Sequence, residues 1–523
     1  MGQVANLRAD CQSAQTARLT TARRMTSCPT RRRCILAAMR YLVAFILLFA
    51  SAWAEDLANV IFLEPVNKID THGSEVTEKM PLFRKAADPA RYTAWLHNPS
   101  AERAFRLYRA ANEIVHPGAG TPDYYVALVE GGNHAAVGFR IRNGDAIQDY
   151  PRQTYILLDA DPSRFETTLL HETGHMAMEM LAGGRQLDGK DIASIPHTTA
   201  ALTDRTTGFS EGYAIHLETL AAHLNHDQYT RQRYHRGLVL FGEGSFGKTE
   251  YFHHSADLAS FSQNVARYLD VRDNNFSFES AYQQPDYLRV HMEKARDFST
   301  VRDANQLLQS EGFYASFFFL FVVRGEETPA EPVIAAREER VLHAMRGMFS
   351  RSSPDLSRPW LLDLVVEYAK QFPDEKAAIV DALNDLSHGV FVDSAAPKLW
   401  KEHYLATLRL DQAKMNIPGI NAARKKWREQ VLANPDVLYS RVGPEIPCAV
   451  PGTKVRLEAF GEDSLVRFDL NTVQPGILRL IPGITEPEIS AWLDQRSQKP
   501  FRSADDFRSR GFLRPPTLAA LQF

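Results

Sequence analysis

Apolar positions divide the chain into a short β-rich stretch, a long helical stretch and a compact tail. The first apolar segment past the N-terminal region is 60–63, and a charged stretch from about 86 to 114 follows with apolar residues at helical spacing. Residues 124–129 and 135–142 read as two strands, and Glu130-Gly131-Gly132-Asn133-His134 between them predicts a hairpin turn. A third strand is expected at 155–158, ended by Asp159-Ala160-Asp161-Pro162. From there to about residue 440 the periodicity is mostly helical, interrupted at 242–247 and 274–278. The most apolar run, 313–323, is too short to cross a bilayer and predicts a buried core helix. Pro and Gly become frequent around 443–461, which marks a domain boundary.

Composition changes this reading mainly at the N-terminus. The 523 residues are 44% hydrophobic and 24% charged with a net charge of -3, which excludes collagen-like, coiled-coil, disordered and disulfide-scaffold classes. The near-neutral total is uneven: residues 1–54 hold eight arginines, no lysine and one acid, Asp10. Met39-Arg40, the apolar run 41–50 and Ser51-Ala52-Trp53-Ala54 form a signal-peptide pattern with cleavage expected after Ala54. The residues before Met39 read as an upstream mis-called start. A periplasmic or secreted location follows, with no stable membrane insertion after cleavage. Cys11, Cys28 and Cys34 precede the cleavage point, so Cys448 alone remains and no internal disulfide is expected. The body from 55 to 465 is then acidic, at about -12, and the tail from 466 mildly basic, at about +2.

The candidate chemistry lies after the third strand. Ser163 with Glu166 reads as a capping box, and Gly183-Gly184 as a helix end, so His171-Glu172-Thr173-Gly174-His175 falls within one helix. Four residues make about one turn, which puts both imidazoles on one face, able to share one cation, with Glu172 beside them as general base. Two surface histidines on an amphipathic helix would be the alternative. The context, a helix following apolar strands in an exported chain without disulfides, argues for a zinc hydrolase site, one Zn²⁺ per chain. Such a site needs a third protein ligand and an open fourth position. Met178 and Leu181 stand where the metzincin arrangement would need Gly and His, which excludes that class.

Glu211-Gly212-Tyr213-Ala214-Ile215-His216-Leu217-Glu218 resembles the second helix of the gluzincins, the thermolysin-like and aminopeptidase-like group of zincin metallopeptidases. Glu211, Gly212, Ala214 and Glu218 match; His216 stands where an aromatic residue is usual. The resemblance implies that Glu211 is the third ligand and that Glu218, two turns on, could hold a ligand imidazole in one tautomer. Gln309-Ser310-Glu311-Gly312-Phe313-Tyr314-Ala315 echoes this segment, so Glu311 is an alternative ligand or, preferably, the cap of the Phe-rich helix. Zinc would activate a water whose proton passes to Glu172 and on to the leaving amine. The oxyanion donor is left open among Tyr213, His216, Tyr234, His235, Tyr251 and His253. The strands at 124–142 are the expected cleft edge, where substrate backbone could pair.

The tail carries a second resemblance. Leu470-Asn471-Thr472, Leu480-Ile481-Pro482-Gly483-Ile484, Arg496 and Pro500-Phe501-Arg502-Ser503 with Asp506-Phe507 resemble the helix-hairpin-helix module of the competence-protein type, which implies phosphate contact through backbone N–H groups. Thr485 replaces the second hairpin glycine, and 511–516 lacks the later Gly-Ile-Gly. The weak charge favours protein docking over DNA contact through 466–523.

The expected fold is α+β: a zincin-like catalytic domain with a small mixed sheet and the HExxH helix, a large mainly helical region and a small all-α helix-hairpin-helix domain. The expected boundaries are 1–54 signal and mis-called start, 55–260 metallopeptidase domain, 261–445 helical domain completing the cleft, 446–465 linker and 466–523 helix-hairpin-helix module. The expected function is an exported zinc metallopeptidase acting on a peptide or protein substrate. The alternative is a DNA- or envelope-binding protein with an inactive zincin domain.

Overall fold

Five strands, β1 (Asn59–Pro65), β2 (Leu82–Lys85), β3 (Asp123–Leu128), β4 (Asn133–Asn143) and β5 (Ala146–Leu158), close into a small barrel of mixed sense in the order β1-β2-β4-β5-β3. The computed structural model describes residues 59–67, 71–72, 75–76, 80–184, 187, 204–224, 303–323, 331–350, 359–400, 402, 416–450, 466–473 and 475–523. The signal segment and the two helical interruptions at 242–247 and 274–278 lie outside them. Over the described residues the fold is α+β and mostly helical. Side chains at alternate positions fill the barrel, among them Leu63, Phe83, Tyr125, Ala127, Phe139 and Tyr155. Phe83, Phe139 and Tyr155 meet edge-on with centroids 5.0 to 6.2 Å apart, so side chains pack the barrel's core.

The hairpin expected at 124–142 does not form. Strands β3 and β4 are both neighbours of β5: β5 pairs parallel with β3 (Leu128↔Leu158) and antiparallel with β4 (Asn133↔Leu158). The Gly131-Gly132 link therefore passes over the end of β5, tied by Val129 N–H to the Leu158 carbonyl at 2.9 Å and Asp159 N–H to the Gly132 carbonyl at 2.9 Å. The real hairpin is one strand later, closed at Asn143-Gly144-Asp145 with Gly144 at φ 62°, a two-residue turn flanked by paired Asn143 and Ala146. Gly144-Asp145 is the hairpin signal, a glycine supplying the positive φ needed at the first central position of a two-residue turn. The third strand is accordingly 13 residues long and begins at Ala146.

Helix α1 (Pro99–Val115) is capped by Asn98, whose side chain accepts from Ala101 N–H at 2.9 Å. Two central helices follow, α2 (Pro162–Leu181) and α3 (Arg205–Leu224), then α4 (Glu311–Val323), α5 (Glu331–Ser350), α6 (Trp360–Gln371), α7 (Lys376–Ser387) and α8 (Ile417–Ala433). The Phe-rich run is the buried helix expected: in α4, Phe313, Phe317, Phe318, Phe319 and Phe321 are each at most 1% exposed. Each contributes roughly 2 kcal/mol of burial, which explains a helix with no polar face. Among the described residues no helix is long and apolar enough to cross a membrane. Buried Arg103 of α1 forms ion pairs with Glu331 and Glu338 of α5, joining the barrel side to the helical side.

The C-terminal module differs from the all-α expectation. Strand β6 (Pro447–Val450), within the segment read as a linker, pairs antiparallel with β7 (Val466–Asp469), and Ala449 bridges to Gln522 near the C-terminus. The short sheet supplies Cys448, Val450 and Phe468 to one core with Trp492, Phe501 and Phe507 from the helical part, which includes α9 (Glu486–Gln498) and α10 (Ala504–Ser509). Its Pro and Gly content hid β6: four residues closed by one partner strand leave too short a pattern to read. Cys448 is free and buried, and desolvation pushes its thiol up to about 12.

Candidate metal centre

Helix α2 begins differently from the sequence expectation and ends as expected. Asp161 is its N-cap, accepting Ser163 N–H at 2.8 Å with Pro162 in the first turn, so Ser163 already lies inside the helix. Gly183 and Gly184, at φ 87° and 69°, end it. Thr173, between the two histidines, donates to the Leu169 carbonyl at 2.6 Å and meets the Tyr124 hydroxyl of β3 at 2.5 Å, which fixes the helix against the barrel. Helix α3 starts with Asp204 as cap, its carboxylate accepting Thr207 N–H at 2.8 Å and the Thr207 hydroxyl at 2.6 Å.

Small residues set how closely these helices approach. A β-carbon on Gly174 would lie 2.8 Å from Leu217 Cδ1 and 3.4 Å from Ala214 Cα, so α2 and α3 touch between the two histidines. On the far side of α3, a β-carbon on Gly212 would lie 2.3 Å from Tyr314 Cβ and 2.7 Å from the Glu311 carbonyl oxygen. Glu211 is thus carried on a helix wedged between α2 and α4.

The result is convergence of three side chains. His171 Nε2 and His175 Nε2 are 3.1 Å apart, and Glu211 reaches them with separate oxygens, Oε2 at 3.3 Å and Oε1 at 3.5 Å. Among the described residues, His171, His175 and Glu211 form the group able to hold a metal ion, with ligand atoms within 4.8 Å of one another. The outer nitrogens are also engaged: His171 Nδ1 meets Glu218 Oε1 at 2.6 Å, and His175 Nδ1 meets Ser210 Oγ at 2.8 Å. A carboxylate at Nδ1 accepts a hydrogen bond from the ring N–H there and leaves the Nε2 lone pair pointing inward. Two imidazole lone pairs and two carboxylate oxygens so close together are stable only around positive charge. The observed separations of 3.1, 3.3 and 3.5 Å bracket the edge of a tetrahedral zinc site, about 3.3 Å for metal–donor distances of roughly 2.0–2.1 Å. The donor set therefore fits a small divalent cation.

With no ion bound, the same carboxylates favour a proton on the His171 imidazole, which a metal would have to displace. Burial works against a charged His171, but the pull of Glu218 and contacts with Glu211 outweigh it and hold this imidazole well above the usual histidine range. Glu172 is 3% exposed, and burial pushes its carboxyl up to about 7 against the opposing pull of His171 and His175.

Other expected site residues are placed elsewhere. Glu311 opens α4 and is outside the metal-binding group. Tyr213 and His216 pack against Phe318 of α4, with ring centroids 5.0 and 5.1 Å away, and His216 Nδ1 bonds the Tyr213 carbonyl. Burial lowers His216 to about 3, so it is a neutral core residue. Tyr234, His235, Tyr251 and His253 lie outside the described residues. Two residues the sequence reading passed over belong to this neighbourhood. Ser210 directly precedes Glu211, and no local pattern marks its contact with His175 Nδ1. His134, at the start of β4, is desolvated and feels the charge of His175; the two effects lower it to about 4.

Comparison with family models, with curated proteins and with solved structures finds no match to this chain. The donor group and the residues that hold it are what characterise the protein.

Proposed function

We propose that this protein is a zinc-dependent metallopeptidase of the gluzincin kind. The observation that carries the reading is the meeting of His171, His175 and Glu211 at 3.1 to 3.5 Å, with Glu172 buried on the same helix. The resemblance of the two helical motifs to the zincins supplies the reaction class and the substrate class, a peptide bond. The signal-peptide pattern at 39–54 supports an exported location.

The residues divide the work by their chemistry. His171, His175 and Glu211 would hold the ion, and Glu218 and Ser210 orient the two imidazoles from behind. Zinc, when bound, supplies Lewis acidity towards water and the scissile carbonyl. Glu172 takes the water proton on its carboxylate and delivers it to the leaving amine, and its raised pKa suits a group that must both accept and release a proton near neutrality. The close approach of α2 to α3 at Gly174 keeps Glu211 within reach of both histidines.

The arginines of the C-terminal module favour protein contact over nucleic acid there. Arg479 is paired with Glu486 at 2.8 Å, Arg510 with Asp506 at 2.7 Å and Arg514 with Glu488 at 3.0 Å. A phosphate would have to compete with these carboxylates for each guanidinium.

The test is hydrolysis of a peptide library by the zinc-loaded protein, with and without a chelator, for wild type and Glu172→Ala. Zinc at one equivalent with equal hydrolysis by both proteins overturns the enzyme reading. A protein that takes up no zinc overturns the metal reading.

A further inference from the structure

Besides its local cap Asp204, the helix that carries Glu211 has its first N–H met by a residue from another part of the chain. Arg205 is the first residue of α3, and its backbone N–H, one of the donors a helix start leaves unmet, is accepted by Glu445 Oε1 at 2.9 Å. The Glu445 carboxyl oxygen thus sits at the positive end of the helix. Glu445 Oε1 also accepts Gln309 Nε2 at 2.9 Å, from the turn that leads into α4. The Arg205 side chain reaches into the same junction and donates to the Gly443 carbonyl at 2.7 Å and to Asn305 Oδ1 at 3.1 Å, and Gly443 N–H also reaches Asn305 Oδ1, at 3.2 Å.

The short strap 443–446 is in turn part of the C-terminal module. Ile446 N–H is bonded to Asp469 Oδ2 at 2.5 Å, and Leu470 N–H returns to the Ile446 carbonyl at 3.1 Å. Asn471, fully buried, donates to the Pro444 carbonyl at 3.0 Å and the Phe501 carbonyl at 3.1 Å, while its own oxygen accepts Phe501 N–H at 2.7 Å. An unbroken set of hydrogen bonds therefore runs from the core of the module through Glu445 to the first turn of α3. Glu211 lies six residues further along a helix gripped on both sides, by Gly174 of α2 and by Tyr314 of α4. Rigid elements transmit position, and the first turn is where this helix can be steered.

We propose that the C-terminal module is a positioning device for the metal centre: through Glu445 it sets the start of α3 and so holds the Glu211 carboxylate against His171 and His175. This rests on the metal reading above. It makes the module part of the working site, where the sequence resemblance alone would make it an appended binding unit. Glu445 and Arg205 are positioning residues, since neither touches the donor group.

The experiment uses the full-length protein and zinc alone. Zinc affinity is measured by chelator competition, and thermal midpoints are measured with and without zinc, for wild type, Glu445→Ala, Glu445→Gln and Asn305→Ala. Glu445→Ala should weaken zinc binding about tenfold, at the low end of the loss caused by removing a support of a metal ligand, and should shrink the zinc-induced rise in midpoint. Glu445→Gln keeps the acceptor oxygen and should stay within about threefold of wild type. Cobalt substitution gives a second readout: the visible absorption of a four-coordinate ion should weaken in Glu445→Ala and recover in Glu445→Gln. If Glu445→Ala fails to fold, Asn305→Ala, which removes one acceptor from Arg205, decides by the same criterion at a smaller loss. Zinc affinity in the folded variants within twofold of wild type, with only the zinc-free midpoint lowered, overturns the proposal. A wild type without zinc affinity overturns the metal reading, and this proposal falls with it.

Discussion

Gly212→Ala tests whether helix packing sets the metal geometry. The added β-carbon would lie 2.3 Å from Tyr314 Cβ and 2.7 Å from the Glu311 carbonyl oxygen, both fixed parts of α4. Carbon atoms rest at about 3.5–4.0 Å, so α3 and α4 must part by roughly 1.2 Å or more. No rotamer change relieves the clash, because the atoms in conflict are a β-carbon and a carbonyl of a buried helix. Overpacking of this kind costs about 1–3 kcal/mol, and the rigid partner puts this case at the upper end. Glu211 is the adjacent residue, and donor positions in a metal site are held to about 0.2 Å, so a shift of this size opens the gap to His171 and His175 well past tolerance. The expected result is a lower thermal midpoint together with zinc affinity reduced roughly 100-fold, assayed by chelator competition below the midpoint. Gly212→Ala that folds and keeps one zinc at wild-type affinity would refute the reasoning, since it would show the site independent of the α3–α4 contact.

Other predictions follow from the same geometry. Glu172→Gln should keep zinc while hydrolysis falls by about 10²- to 10⁴-fold, measured as kcat; retained turnover would remove Glu172 from the proton path. Because burial pushes Glu172 up to about 7 and the base is the carboxylate, wild-type hydrolysis should rise with pH along an acid limb with a midpoint no higher than about 7, a bound cation drawing it lower. A midpoint above 8 would contradict this assignment. Glu218→Ala removes the 2.6 Å partner of His171 Nδ1 and should weaken zinc about 10- to 100-fold, with Ser210→Ala, a neutral partner of His175, costing less. Burial pushes Glu445 up to about 8 from its ordinary 4.5, despite the nearby Arg205 and with Asp204 and Asp469 adding to the rise. The folded state therefore holds this proton more tightly than the unfolded chain. The associated stability is complete below about 4.5 and is lost as pH rises through about 8. Urea midpoints taken at pH 5 and 8.5 should fall less in Glu445→Gln than in wild type; equal slopes would show that Glu445 is already charged in the fold.

The motif helices show where sequence pattern is strong and where it is weak. His171 and His175 share a face because four residues make a turn, and Glu218 follows Glu211 at two turns, so both pairings were readable from local spacing. The buried character of α4 was readable for the same reason, its run being apolar at every phase of the helix. The strand pairing was not. Residues 124–129 and 135–142 had the composition of strands, but which strand lies between them depends on the long-range pairing of Ala146–Leu158, which alternation does not encode. Capping gave an intermediate case: Asp161 and Ser163 are both good caps two residues apart, and Pro162 at the first helical position decides for Asp161.

By itself the sequence determined the types and helical spacing of the candidate donors, the Glu172 carboxyl beside them and the division into an acidic body and a mildly basic tail. Those are local properties, fixed by periodicity and composition. Only the tertiary structure brought Glu211 rather than Glu311 to the two histidines, placed Tyr213 and His216 in the core and set Ser210 against His175. It also connected the C-terminal module to α3 through Glu445, 240 residues from Arg205. The physical reason is that each of these depends on which helix surfaces meet. That is set by close approaches at Gly174 and Gly212, whose effect appears only when the opposing helix is present.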